Sequence, residues 1–327
     1  MGKTRGGNSH FSSDWVEVSL QLPLSFHYFN CHFVVPSAMT NDFFFHEQRF
    51  PSQVSTTLFM MFNKTFHFYL HLIYLLGDLR RFSLSLYDPI ARHVAIEKLV
   101  VRDVDRVQER KYWRFRYDRW YGGIVTADAV GCGLTCKYCW VSDAVMFKPA
   151  TVGNFYSPRA VADILVKMAE RRNLKQLRVS GGEPTICKKH LLQLLDNLYG
   201  KGLSFILETN GILIGSDLKY AGDLSKHPFL HVRVSLKGCN KEEFTVLTGA
   251  KPKGFTLQLR ALENLLNIGV KCHPAVMVSF STKESVKQLF QRLRSIDPSL
   301  AENLETEELI LYPKVKRRIQ KHNLKVL

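Results

Sequence analysis

The chain has 327 residues, 46% of them hydrophobic and 23% charged, which favours a globular protein with a sizeable core and excludes a largely disordered one. Almost all of the net charge of +16 lies after residue 82, where 39 basic residues oppose 24 acidic ones. The excess fits a polyanionic partner, substrate or cofactor, and equally a generally basic solvated surface. Seven cysteines without disulfide-framework spacing, and no signal-peptide pattern, predict a reducing cytoplasmic location.

Residues 1–82 are predicted to be irregular. They hold 13 of the 22 phenylalanines and 6 of the 12 histidines but match neither helical nor alternating periodicity. The apolar segment 58–76 raises the question of a membrane span, yet its asparagine, lysine and two histidines make insertion costly, so no membrane contact is expected. We therefore expect this region to be dispensable, poorly ordered or outside the folded domain.

Residues 83–122 form a basic and aromatic lead-in, in which "RKYWRFRYDRWYGG" (110–123) alternates the two types of side chain. Such a stretch could grip phosphates and stack bases. The interpretation that we favour is an added strand with an aromatic inner face and a basic outer face.

From residue 123 to 313, β-rich runs alternate with amphipathic helical patterns, several of which open with Ser or Thr at the N-cap. The predicted strands are 123–131, 176–184, 204–211, 230–238, 270–279 and 308–313. The predicted helices are 157–173, 187–202, 216–227, 254–269 and 282–297. Repeated strand–helix–strand order predicts an α/β fold with right-handed crossovers and a parallel sheet, either open or closed into a partial barrel of six β/α units.

Chemistry-bearing residues follow the carboxyl ends of these strands, which share one rim in a parallel sheet. The set comprises a cysteine-rich loop after strand one, Ser180, Gly181, Gly182 and Glu183 after strand two, Glu208, Thr209, Asn210 and Gly211 after strand three, Ser235, Lys237 and Gly238 after strand four, and Tyr312 and Pro313 after strand six. We expect them to surround one pocket. The basic segment 314–327 beyond the last strand is predicted to be a solvated tail.

The loop "GCGLTCKYCW" (131–140) places Cys132, Cys136 and Cys139 at C-x3-C-x2-C spacing. A closed structural zinc site requires four ligands, usually in two separated pairs. Three thiolates on one loop would instead leave one iron of a four-iron cluster without a protein ligand. On spacing alone, a zinc site completed by a distant His or Cys, or three incidental thiols, also stays open.

Together with Tyr138 before the last cysteine and "GGEP" closing the next predicted strand, this loop resembles that of the radical S-adenosylmethionine (SAM) superfamily. The resemblance covers about residues 120–313. It implies a partial (β/α)6 barrel in which Cys132, Cys136 and Cys139 hold a [4Fe-4S] cluster whose fourth iron binds the amino and carboxylate groups of SAM.

The same resemblance implies further cofactor-binding residues. Gly181, Gly182 and Glu183, beside Ser180, would line the methionine group of SAM, because glycines let a backbone approach closely and a carboxylate accepts from an ammonium. Ser235 and Lys237 would bind the ribose or the carboxylate, with Thr209 and Asn210 as neighbouring candidates, and Tyr138 would face adenine. No catalytic side chain is assigned.

The implied activity is reductive cleavage of SAM to a 5′-deoxyadenosyl radical, which abstracts hydrogen from a substrate after an electron donor such as a flavodoxin or ferredoxin supplies one electron. RNA is the favoured substrate, because Cys-Trp closes the loop, as it often does in superfamily members that modify tRNA, and the region after residue 82 is basic. The alternatives are a non-catalytic metal- or cluster-binding RNA adaptor and an activase of another enzyme. The oligomeric state stays open.

Overall fold

The computed structural model describes residues 15–24 and 27–36 as backbone strands and residues 86–327 in full. The chain divides into two compact units, Met1–Tyr74 and Leu75–Leu327. In the first unit, strands β1 (Trp15–Leu24) and β2 (His27–Pro36) pair antiparallel. The apolar segment 58–76 lies outside the described residues, and the prediction that the N-terminal region is dispensable stays a prediction.

The second unit is an α/β domain built on a nine-stranded, mostly parallel sheet, as predicted. Its strands are β3 (Val101–Val104), β4 (Val107–Asp118), β5 (Ile124–Ala129), β6 (Asn154–Tyr156), β7 (Gln176–Gly181), β8 (Ser204–Thr209), β9 (Leu230–Leu236), β10 (Cys272–Met277) and β11 (Glu305–Glu307). Strands β5, β7, β8, β9, β10 and β11 lie side by side in parallel, which is the six-stranded order of a partial (β/α)6 barrel. Strand β4 runs antiparallel beside β5 and also pairs with β3 and β6.

Helices connect the parallel strands. The helices within residues 86–327 are α1 (Pro89–Val100), α2 (Asp143–Phe147), α3 (Pro158–Arg171), α4 (Lys188–Leu198), α5 (Ile212–Ser216), α6 (Leu218–Leu224), α7 (Lys241–Thr248), α8 (Lys253–Asn267), α9 (Lys283–Ile296), α10 (Pro298–Glu302) and α11 (Pro313–Lys321). All five predicted helices are confirmed, with ends shifted by a few residues. Ser157 and Thr282 cap α3 and α9 by accepting a backbone N–H three residues later, as the Ser and Thr signals predicted.

The two faces of the parallel sheet differ in chemistry. One face carries apolar side chains such as Val179 and Leu207, which are buried in the main hydrophobic core. The other face, called here the polar face, carries Thr126, Asp128, Arg178, Ser180, Glu208 and Arg233. Side chains alternate between the faces because successive residues of a strand point in opposite directions.

Two predictions near the C-terminus are wrong. The sixth parallel strand is Glu305–Glu307, not 308–313, and the apolar run after it leaves Ile310 and Leu311 at least half exposed. The strand forms at acidic residues because Glu305 and Glu307 pair with Arg233 on the polar face. The expected solvated tail forms α11, with Val315 and Ile319 buried. No helix in the described part of the chain is long and apolar enough to cross a membrane.

Candidate functional site

The cysteine-rich loop follows β5, at the carboxyl edge of the parallel sheet. Cys136 is buried, and Cys132 and Cys139 are partly buried. The backbone N–H of Leu134 points to the Cys132 sulfur at 3.4 Å, and the N–H of Cys139 donates to the Cys136 carbonyl at 3.1 Å. The loop is also tied to α7, because the N–H of Lys137 donates to the Leu247 carbonyl at 2.8 Å.

The Gly-Gly segment after β7 packs directly on this loop. The N–H of Gly182 donates to Ala129 O and that of Glu183 to Gly131 O, both at 2.8 Å. A Cβ on Gly182 would lie 2.2 Å from Gly131 O, and Gly181 has a φ of +88° that disfavours any side chain. Both glycines are therefore required by the close approach of two backbone segments, in addition to any ligand.

Glu183 joins the ends of β7 and β8. Its carboxylate is almost fully buried, with 2% exposure. One oxygen accepts from the N–H and hydroxyl of Thr185 and from the Thr209 hydroxyl, at 3.1, 2.7 and 2.6 Å. The other oxygen accepts from the N–H of Asn210 at 2.7 Å. The contacts made by Glu183 and Thr209 are thus within the protein, and the predicted contact of Glu183 with an ammonium group stays a prediction.

Asn210 reaches the first cysteine. Its side-chain N–H group lies 3.8 Å from the Cys132 sulfur and 3.1 Å from Nε2 of the buried His93. His93 Nδ1 lies 2.6 Å from the Pro89 carbonyl, so Nδ1 carries the proton and Nε2 accepts. Burial lowers the pKa of His93, which favours this neutral form.

Ser235 and Lys237 lie at the end of β9, with Lys237 Nζ 2.5 Å from Ser235 Oγ. Among the described residues, Lys237 has no acidic partner. Its positive charge lowers the pKa of both Cys136 and Cys139, against the larger opposite effect of burial, which places the ammonium beside the cysteine-rich loop. Convergence of these strand ends on one rim was predicted, and the structure shows it for the ends of β5, β7, β8 and β9. The predicted Tyr312 and Pro313 follow no strand and instead begin α11.

Tyr138 packs against Phe280 with ring centroids 5.3 Å apart. Its hydroxyl is buried and has no hydrogen-bond partner among the described residues. A buried hydroxyl without a partner is uncommon in a folded protein, and this one is available to a group bound beside the loop.

Ser180 lies on the polar face, where its hydroxyl donates to Glu208 at 2.7 Å. Glu208 also accepts from Arg178 at 2.9 Å and from Tyr121 at 3.0 Å. Burial would raise the pKa of Glu208, but Arg178 and Arg233 hold it below the ordinary value. The predicted SAM residue Ser180 is therefore part of an ion-pair network across the sheet.

The stretch 110–123 forms β4 and a short turn, in agreement with the favoured added strand. Several of its basic side chains bond within the protein, however. Arg114 and Arg116 bond Asp128 across the polar face, at 2.5 and 2.8 Å. The aromatic residues Phe115 and Tyr117 pack against the core.

Arg110, from the same stretch, is a structural residue, whereas the sequence left it as a possible phosphate contact or as part of a basic outer face. The residue is 1% exposed, and its guanidinium donates to the carbonyls of Pro184 and Glu183 at 2.6 and 2.7 Å and of Val130 at 3.4 Å. It holds the Gly-Gly-Glu-Pro segment and the start of the cysteine-rich loop together.

Arg318 of α11 holds the other end of that loop. Its guanidinium donates to the Cys139 carbonyl, to the Val141 carbonyl at 2.8 Å and to the Asp143 carboxylate at 2.9 Å. The pKa of Asp143 is lowered by this bond. Neither Arg318 nor His93 was predicted, because their partners lie 175–179 and 117 residues away in the chain.

Burial raises the pKa of all three thiols, to about 12 for Cys136, and neighbouring thiols add to the shift at Cys132 and Cys136. A metal centre would convert them to thiolates and release their protons. In the described residues, no three His, Cys, Asp or Glu side chains converge on a single metal ion. A cluster does not require such convergence, because each thiolate binds a different iron.

The remaining described cysteines are also free. Cys187 and Cys239 are buried, and burial raises their pKa to about 12 and about 11. Cys272 opens β10 and so lies at the opposite edge of the sheet from the candidate site.

A parallel α/β sheet with a three-cysteine loop and a Gly-Gly-Glu segment at its carboxyl edge defines the class of protein. The sequence model of the radical SAM superfamily matches residues 128–293, just over half of the chain. The chain belongs to the radical SAM superfamily, whose members are enzymes that use a [4Fe-4S] cluster and SAM.

Several curated relatives are similar to part of the chain. GTP 3′,8-cyclase of Helicobacter pylori (strain HPAG1) is 29% identical over 147 residues, which are 43% of this chain and 41% of that protein. Pyruvate formate-lyase-activating enzyme of Clostridium pasteurianum is 27% identical over 191 residues, 56% of this chain and 72% of the enzyme. The chain thus spans about two fifths of the length of the cyclases that it matches. The solved structure of Streptococcus suis SuiB bound to the precursor peptide SuiA has 17% identity and a TM-score of 0.44, covering 56% of this chain and 48% of SuiB.

Proposed function

We propose that this chain cleaves SAM reductively at a [4Fe-4S] cluster held by Cys132, Cys136 and Cys139, and directs the resulting radical to a substrate. When bound, these groups supply an electron and a 5′-deoxyadenosyl radical that abstracts hydrogen. The protein residues would bind and orient these groups and exclude solvent from them.

The observation that carries the proposal is a chain of contacts joining the strand ends around the cysteines. Glu183 bonds Thr209 and Asn210, and Asn210 reaches both His93 and the Cys132 sulfur. Such a network fixes the loop before any cofactor arrives, and preorganised ligands bind with less ordering cost.

The residues present fit SAM as well as the cluster. Lys237, without an acidic partner among the described residues, would hold the carboxylate beside Ser235. Gly181 and Gly182 would present their backbone to the methionine group, and the unpartnered hydroxyl of Tyr138 would face the adenine. In this proposal Glu183, Thr209 and Asn210 position the backbone of the site, and Ser180 supports it through Glu208.

The test is an anaerobic assay of the full chain reconstituted with iron and sulfide. With dithionite and SAM, we expect 5′-deoxyadenosine from the wild type and from Cys272→Ala, and none from Cys136→Ala. Cys272→Ala is the matched control, because Cys272 lies at the opposite edge of the sheet. A chain that binds zinc in place of iron and sulfide, or produces no 5′-deoxyadenosine, would support the non-catalytic adaptor instead.

For the substrate, we propose an anionic molecule with a planar ring, of which RNA is the representative. Arg114 keeps 39% of its side chain exposed while it stacks on Trp113 at 3.9 Å. Trp140, directly after the last cysteine, lies within 5.9 Å of the same guanidinium. Stacked aromatic and guanidinium groups bind bases and phosphates. The other arginines of β4 support RNA binding less than the sequence suggested, because Arg110 and Arg116 form hydrogen bonds within the protein.

The activase alternative has its own support in the similarity to pyruvate formate-lyase-activating enzyme. If RNA stimulates the formation of 5′-deoxyadenosine, an RNA substrate is favoured. If a protein fraction stimulates it, the activase alternative is favoured. In either case the proposed setting is a reducing cytoplasm with a flavodoxin or ferredoxin as electron donor.

A further inference from the structure

We propose that a basic surface formed by Lys137, Lys314, Arg317 and Lys321 is the docking site of an acidic electron-donor protein. This surface is called here the basic face. The inference rests on the proposed function, because only a redox enzyme needs such a partner.

The basic face carries charge that the described residues do not neutralise. Residues 314–327 contain six basic residues and no acidic one. Of these, only Arg318 forms an ion pair in the part of the chain that the structure describes, with Asp143. Strand β4 differs, because two of its arginines, Arg114 and Arg116, pair with Asp118 and Asp128. Like charges held together weaken a fold unless something else offsets their repulsion, and an acidic partner would do so.

The geometry of α11 places this charge beside the cysteine-rich loop. Lys314, Arg317 and Lys321 are spaced i, i+3 and i+7, so they form one stripe along the helix. Arg318, one position from Arg317, anchors that helix on the Cys139 carbonyl. The stripe is therefore fixed next to the last cysteine of the loop.

Lys137 extends the basic face into the loop itself, between Cys136 and Cys139. Arg318 of α11 contacts the carbonyl of Cys139, two residues after Lys137, which brings the helix to this part of the loop. Lys137 and Lys321 both lower the pKa of His322, after the larger effect of burial, as neighbouring charges do. Arg317 and Lys321 likewise act on Asp143, just beyond the loop.

The chemistry of the surface favours an acidic protein. Phe147, 55% exposed, has the Arg318 guanidinium 5.9 Å from its ring centre. An exposed apolar side chain bordered by cations suits the small, weak interfaces of electron-transfer partners, in which complementary charge sets the rate of encounter. A single-stranded nucleic acid would require several aromatic platforms along its path.

The experiment compares two reductants on the full chain loaded with its cluster. The variant Lys314→Glu/Arg317→Glu/Lys321→Glu is assayed for 5′-deoxyadenosine with reduced flavodoxin, an acidic protein, and with dithionite. We expect the flavodoxin-driven rate to fall about tenfold or more at low salt, and the dithionite-driven rate to stay within about twofold. Added salt should slow the flavodoxin-driven wild type and bring it toward the variant.

The control variant Lys283→Glu/Lys287→Glu/Arg294→Glu makes the same change of charge on exposed positions of α9. It should leave both rates near the wild type. An unchanged flavodoxin-driven rate in the α11 variant, or equal loss with both reductants, would overturn the proposal. Loss of binding to a fluorescent oligoribonucleotide, with the flavodoxin-driven rate retained, would show that the face binds nucleic acid and would also overturn it.

Binding of labelled flavodoxin, measured by fluorescence anisotropy, separates this inference from the proposed function. If wild type gives no 5′-deoxyadenosine with dithionite but binds flavodoxin more tightly than the α11 variant does, the proposed function fails and the docking surface stands. If wild type and variant bind flavodoxin equally, the docking surface is wrong whatever the assay shows.

Discussion

The Glu183 carboxylate links the ends of β7 and β8, and its removal should destabilise the protein without its cofactors. In Glu183→Gln, an NH2 group replaces one carboxylate oxygen. This NH2 group would then face another donor, either the Thr209 hydroxyl or the backbone N–H of Asn210. Because these groups are buried, we expect a loss of about 2–4 kcal/mol in the free energy of unfolding. Urea denaturation measures it. Exposed Glu170→Gln is the control, expected within about 0.5 kcal/mol of wild type. A similar stability for both variants would show that the network is unimportant.

His190 predicts a pH dependence of stability at a place remote from the cysteines. It is 1% exposed, its Nδ1–H donates to the Gln108 carbonyl at 2.9 Å, and Nε2 lies 3.0 Å from the Tyr112 hydroxyl. Burial lowers its pKa from 6.5 to about 4. Between pH 6.5 and 4 the unfolded chain therefore binds a proton that the folded chain does not, so stability falls as the pH is lowered through this window.

The expected loss from His190 alone is about 3 kcal/mol between pH 7.5 and pH 4. Carboxylates such as Glu305, whose pKa is lowered to about 2, add to the acid sensitivity of the whole protein. The difference between wild type and His190→Gln, measured by urea denaturation at several pH values, isolates the histidine. Parallel curves for the two proteins would contradict the prediction.

At the scale of elements, α11 is expected to hold the cysteine-rich loop through Arg318. Arg318→Gln removes a buried guanidinium bonded to two carbonyls and to Asp143, which should cost about 3 kcal/mol in local stability. Hydrogen exchange of residues 139–147 in the cluster-free protein should become faster, and less iron should be retained after reconstitution. The exposed neighbour Arg317→Gln should match wild type in both measurements.

The charge of Arg318 adds a second expectation. A guanidinium beside Cys139 favours the more negative, reduced form of a bound cluster, so Arg318→Gln should shift the midpoint potential to more negative values. Arg318→Lys keeps the charge but not the planar set of donors. It should restore most of the potential and little of the exchange protection. Equal potentials for the Gln and Lys variants would limit Arg318 to a structural role.

The elements show where sequence reasoning works and where it stops. Five parallel strands and five helices were predicted, because each carries its own periodicity and end signals within a short window. The sixth strand was misplaced, because the apolar run around Ile310 and Leu311 is the stronger local signal. Pairing of Glu305 and Glu307 with Arg233, more than 70 residues away, decides the strand instead.

The candidate site was predicted to a similar extent. Strand ends in a parallel sheet must share a rim, so the convergence of Cys132, Glu183 and Asn210 follows from topology. The roles of Arg110 and Arg318 could not be predicted, since a basic residue in the sequence gives no sign of whether it bonds a buried carbonyl or faces solvent. Only the neighbouring residues in the folded structure show which of these two situations applies.

At the scale of the whole molecule, the division of the chain at Leu75 predicts that the second unit folds alone. Leu75–Leu327 forms its own compact unit. Its 253 residues (75 to 327) are enough to bury a stable core, and both hydrophobic clusters of the described residues lie within it. A chain of residues 75–327 should therefore have the thermal unfolding midpoint of the full chain and the same yield of 5′-deoxyadenosine.

The matched truncation is at the other end. A chain of residues 75–312 lacks α11, and with it Arg318 and the buried Val315 and Ile319. It should unfold at a lower temperature and lose most of its iron, because the Cys139 end of the loop has lost its anchor. Scanning calorimetry and iron analysis of both truncations decide the point. If the chain of residues 75–327 aggregates, the prediction that the second unit folds alone is wrong. If the chain of residues 75–312 retains its iron, α11 is not needed to hold the cluster site.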